Sequence, residues 1–143
     1  MKKDFLPRGA AFAVLAGLAL AFFVLGGCSS GPPIIPDDLS VLQFFQRAQE
    51  ETEDEDWEDA LYYYETYISR HPDDVANIMA ARYEIAFINY KQEKYPEAVA
   101  GFQGILGFYE EAADTLSLEF PLWPRVLSKK MLESIEGKTG TGG

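Results

Sequence analysis

The chain has one cysteine, one histidine and few basic residues, and each shortage removes a class of protein. With only Cys28 there is no internal disulfide framework. With only His71, and no second His or Cys beside it, there is no metal-ligand set and no activated nucleophile, so no catalytic and no metal residues are assigned. A Gly-rich loop able to cradle phosphates is missing too. Twelve Lys and Arg stand against 23 Asp and Glu, for a formal net charge of −11. That balance excludes nucleic acid as a partner and sets the domain against anionic headgroups. The expectation is a protein that is not an enzyme and carries no cofactor, apart from the covalent lipid argued below.

Apolar side chains are plentiful, at 48% of 143 residues with 14% aromatic, which suits one domain with a real core. Met1 to Arg8 is short and basic, and from Gly9 to Gly27 no charge interrupts a run of Ala, Leu, Phe, Val and Gly. This is the layout of a secretory signal peptide. A retained membrane helix is the alternative, because the run approaches the roughly 20 residues needed to span. Leu25-Gly26-Gly27-Cys28 decides between them. It resembles the lipobox of bacterial lipoproteins, in which an aliphatic residue and two small residues precede a Cys whose thiol takes diacylglycerol. The resemblance implies a mature chain beginning at a lipidated Cys28, held in a bacterial membrane by acyl chains worth about 0.8 kcal/mol per buried CH₂. Ser29 rather than Asp follows, which fits transport to the outer membrane, facing the periplasm. Lys2, Lys3, Arg8 and Asp4 leave with the leader, so the remainder holds nine basic and 22 acidic residues, a net −13.

Residues 28–37 are small and Pro-rich and read as a tether, 38–136 as a helical domain, and 137–143 as a flexible tail. Within the domain, Trp57, Ala60, Tyr64 and Tyr67-Ile68 are matched by Tyr95, Ala98, Phe102 and Ile105-Leu106, a repeat of 38 residues. Such a period indicates stacked helical hairpins, each leaning on the next to bury its apolar face. The Ala-x-x-x-aromatic pairs, with Pro72 closing the first, resemble the second half of the tetratricopeptide repeat. Ala48 and Ala86 fall at its close-contact position. The departures are Arg82 where Trp is usual, no Pro closing the second unit, and a period above the usual value of about 34.

The expected fold is all-α, a short tetratricopeptide-like hairpin stack of about five helices. Asp37 or Asp38 is expected to cap the first helix, and Asp73 the third. The run Glu50 to Asp59 holds eight carboxylates in ten residues and reads as a solvated acidic turn. Helix-period apolar residues on two flanks between Val75 and Gln92 predict a middle helix packed on both sides. Trp123-Pro124 opens a last helix that caps the stack and ends at Gly137.

The order of lipobox, Pro linker and long-period repeats is similar to the tetratricopeptide lipoproteins of the outer-membrane β-barrel assembly complex, which have more repeats. That resemblance implies a tethered adaptor with envelope protein partners, membrane attachment through lipid alone, and a partner or self-association as a homo-oligomer to complete the stack. The family's inner surface is lined by first helices, which places Phe45, Gln49, Tyr83, Phe87, Tyr90 and Lys91 on a partner groove. Ordinary core packing is the other reading of those aromatics. The other function considered is a small-molecule or lipid-binding module of a transporter, with Phe45, Tyr83, Phe87 and Tyr90 enclosing a cavity.

Overall fold

The computed structural model describes residues 31–115 and 120–140. The leader, the lipobox Leu25-Gly26-Gly27 and Cys28 lie outside the described residues, as do 141–143 of the tail. The described helices all belong to the unit Pro32–Gly143. Five are present among the described residues: α1 (Val41–Glu53), α2 (Trp57–Arg70), α3 (Val75–Lys91), α4 (Tyr95–Glu111) and α5 (Trp123–Gly140). The fold is an all-α stack of helical hairpins. None of these helices is long and apolar enough to cross a membrane.

Packing follows chain order: α1 on α2, α2 on α3, α3 on α4 and α4 on α5, with lighter contacts of α1 to α3 and α3 to α5. The last two are contacts between first helices of successive units. The repeat is also written in the backbone. Glu55 and Glu93, 38 residues apart, both take a positive φ, 62° and 60°. The Asp56 amide donates to the Glu51 carbonyl at 2.9 Å, and the Lys94 amide to the Asn89 carbonyl at 2.9 Å. Both hairpins therefore turn by the same left-handed cap, which satisfies helix-end carbonyls and starts the next helix at once.

The first helix is capped by Ser40, not Asp37 or Asp38. Ser40 Oγ accepts from the Gln43 amide, and the Gln43 side chain accepts from the Ser40 amide at 2.9 Å, a reciprocal capping box. Asp37 instead lies 3.4 Å from Arg70. The Arg70 guanidinium also donates to the carbonyls of Pro36 and Ile35, at 2.9 and 3.2 Å. Ile35 is buried in the core, so the chain read as tether is docked from this residue onward. Asp74, not Asp73, caps α3. Its carboxylate accepts from the Asn77 amide, from Asn77 Nδ2 at 2.9 Å and from the Tyr67 hydroxyl at 2.6 Å.

Two buried clusters result. In one, Phe44 and Ala48 of α1 meet Ala60, Tyr63, Tyr64 and Tyr67 of α2 and Ala81 and Ile88 of α3. In the other, Ile78, Met79, Tyr83 and Ala86 of α3 meet Ala98, Phe102, Ile105 and Tyr109 of α4, with Ile135 of α5. The repeat pairs Ala60/Tyr64 and Ala98/Phe102 are all at most 1% exposed. As expected of a middle helix, α3 is buried on both flanks. Tyr63, expected beyond the buried face of α2, is core as well.

Candidate partner-binding surface

Tyr83, Phe87 and Tyr90 stand four and three residues apart and so share one face of α3. Their rings form a ladder, with centroids 6.1 and 6.0 Å apart and planes 11° and 23° from parallel. Helix α5 lies along this ladder in the same chain direction. Trp123 sets its edge on Tyr83 at 5.3 Å, and the Lys138 ammonium sits 4.6 Å from the Tyr90 ring centre. Leu127 and Met131 belong to the same cluster. The Lys138 ammonium, and next Ser134, hold the Tyr90 hydroxyl below its ordinary pKa. Burial, with Glu84 second, pushes that of Tyr83 up. The chain's own last helix thus touches both ends of the aromatic stripe and leaves Phe87 and Tyr90 partly exposed, and it does not stop at Gly137 but runs on to bring Lys138 over Tyr90.

The six residues expected to line one groove fall in four places. Phe45 packs on Tyr64 and Tyr67 of α2, at 5.5 and 5.3 Å. Gln49 is exposed on α1. Lys91 lies over Trp57 at 5.9 Å. Tyr83, Phe87 and Tyr90 remain together at the second cluster, Tyr83 buried and Phe87 and Tyr90 partly exposed. Phe45 turns towards its own hairpin, while α5 meets α3 at Tyr83 and Tyr90. His71 is a packing residue, tilted on Tyr67 at 4.7 Å and edge-on to Phe44 at 5.9 Å.

An open surface occurs one step further along the stack. Between α4 and α5 runs a groove of about 620 Å³, lined among others by Leu106, Leu122, Val126, Lys129, Lys130 and Glu133. Leu122 and Val126 are 54% and 51% exposed, and Trp123 at the same end of α5 is 41% exposed. The sequence signal for it was Lys129-Lys130, the main local cluster of positive charge in the acidic chain beyond the leader.

The acidic turn also has a geometry that its spacing did not reveal. The left-handed cap at Glu55 folds the start of α2 back on the end of α1. Carboxylate oxygens of Glu51, Asp56 and Asp59 consequently lie within 4.8 Å of one another. Desolvation, then the charges of Asp59 and Asp56, raise the Glu51 carboxyl above its ordinary value. Desolvation, then Asp56, does the same for Asp59. Among the described residues, these three are the side chains geometrically able to share a cation. Half-buried Glu84 is likewise pushed up, by desolvation.

No protein-family model matches the chain, and no solved structure matches it. Among curated proteins, one from Treponema pallidum (strain Nichols), described as an uncharacterized protein, is 30% identical over 95 residues. The match takes in 65% of this chain but only 38% of that relative's length.

Proposed function

We propose that the chain is a lipid-tethered helical-repeat adaptor of the bacterial cell envelope, built from tetratricopeptide-like units and free of enzymatic activity. The observation that carries this reading is the repeated hairpin: Glu55 and Glu93 turn alike, and Ala60/Tyr64 and Ala98/Phe102 pack alike, one unit apart. Stacks of such units present extended surfaces whose usual work is holding other proteins. The lipobox-like Leu25-Gly26-Gly27-Cys28 supports attachment through Cys28 in the outer membrane, facing the periplasm. The similarity to the tetratricopeptide lipoproteins of β-barrel assembly makes outer-membrane protein assembly the process to test first. A ligand-binding module would need Phe45 and Tyr83 to wall one cavity, and the two belong to different clusters.

The test is metabolic labelling with an alkyne fatty acid, followed by in-cell crosslinking and mass spectrometry. The native chain should carry the label and recover envelope proteins, and Cys28→Ala should lose the label and leave the membrane fraction. An unlabelled native chain in the soluble fraction would overturn the anchoring. A labelled chain with no crosslinked protein would overturn the adaptor role.

A further inference from the structure

Helix α3 shows what a first helix in the middle of this stack needs. One flank places Ala81 and Ile88 in the cluster with α2. The other places Ile78, Met79, Tyr83 and Ala86 against α4. Helix α5 repeats only the first flank. Ser128 and Ile135, with the same spacing of seven, are buried, at 0% and 3% exposure. In that register, Arg125, Val126, Lys130 and Glu133 occupy the positions of Ile78, Met79, Tyr83 and Ala86. All four are exposed, and all four line the open groove beside α4. The groove is therefore where the second helix of a third unit would lie.

The chemistry of its walls describes the occupant. Leu106, Leu122 and Val126 give it an apolar strip. Arg125, Lys129 and Lys130 are three of the nine basic residues beyond Arg8. With Glu110 and Glu133 the lining carries a net +1, in a chain of net −11. A wholly apolar helix would leave these charges desolvated and unpaired, whereas carboxylates beside an apolar stripe would pair with them.

We infer that the α4/α5 groove binds an acidic amphipathic helix of a partner protein. This rests on the adaptor reading and names the surface and the chemistry of the partner. The occupant presents an apolar stripe at three- and four-residue spacing to Leu106 and Val126, with Glu or Asp flanking it to meet Lys129 and Lys130. The first-helix face of α5 is already in place, so the incoming segment folds against a preformed wall.

The test uses the full chain in detergent micelles and two labelled synthetic helices of about four turns. Both carry the same Leu stripe, flanked by Glu in one and by Lys in the other. Fluorescence anisotropy should show saturable binding of the Glu peptide and at least about tenfold weaker binding of the Lys peptide. Lys129→Glu/Lys130→Glu, a change of exposed side chains checked for an unaltered melting temperature, should reverse that preference. Equal binding of both peptides, binding of neither, or an unreversed preference overturns the proposal. So does a dimer of the native chain that the double variant abolishes, since the occupant would then be a second copy. Envelope crosslinks that persist in the double variant remove this groove and leave the adaptor role standing. Peptide binding without any envelope crosslink does the reverse.

Discussion

Gly101 on α4 faces Ala86 on α3 so closely that a Cβ at Gly101 would stand 2.7 Å from the Ala86 Cβ. The neighbour is a methyl on a rigid stem, so relief requires the two helices to part. Gly104, one turn on, has nothing within 4 Å of the same position. Alanine favours a helix interior over glycine by about 1 kcal/mol. Gly104→Ala should therefore stabilise by about that amount, while Gly101→Ala should destabilise by about 1 to 3 kcal/mol through overpacking. Urea denaturation of the two variants gives opposite signs if the hairpin is packed as described.

Glu55 and Glu93 hold a backbone conformation that L-residues adopt at a penalty. Glycine removes the Cβ clash at the residue after a helix C-cap. Glu93→Gly should raise stability by about 1 kcal/mol, and Glu55→Gly should do so by more, because it also thins the acidic turn. Equal or lower melting temperatures would contradict the left-handed caps.

Stability should respond to pH in two opposite arms. Tyr67, then Asn77, hold the Asp74 carboxyl below its ordinary value. Its stabilisation is present above the ordinary carboxylate range of about 4 and is lost as pH falls through its lowered folded value. Glu51, Asp59 and Glu84 are raised, so the folded state binds more protons than the unfolded one between the ordinary and the raised values. Stability falls as pH rises through that window. Melting temperature should thus climb on mild acidification from pH 7 and drop below pH about 4. Glu51→Gln should flatten the upper arm, and Tyr67→Phe should weaken the lower one.

How much of this was legible in the sequence can be judged residue by residue. Ala60/Tyr64 and Ala98/Phe102 announced the repeat, because close helix approach and ring filling depend on side-chain size at a fixed spacing. The caps were harder: Ser40 prevails over Asp37 and Asp38 through a reciprocal bond with Gln43, and Asp74 over Asp73 through the reach of the Tyr67 hydroxyl. Composition ranks such neighbours equally. The aromatic face of α3 was legible as a face, but what touches it depends on where α5 docks, which no local pattern encodes. Lys129-Lys130 was visible as charge, and it became a surface only when α5 was seen to leave that flank unpaired.

Burial against Trp123 of α5 gives Tyr83 a structural duty. Tyr83, 7% exposed, should cost about 3 kcal/mol on replacement by Ala, and Trp123, 41% exposed, about 1 to 2. Hydrogen exchange should then report lost protection in α5 before α1 and α2. Loss of protection spread evenly over all five helices would contradict that duty.

The most direct measurement is in-cell photo-crosslinking with a reactive amino acid at Val126 in one strain and at Phe87 in another. Val126 is open in the α4/α5 groove, and Phe87 lies, partly exposed, in the α3 ladder whose two ends α5 touches. A discrete protein adduct from position 126, absent from 87 and lost with Lys129→Glu/Lys130→Glu, is the expected result. An adduct from position 87 alone would place the partner on the α3 face and contradict the open-groove adaptor.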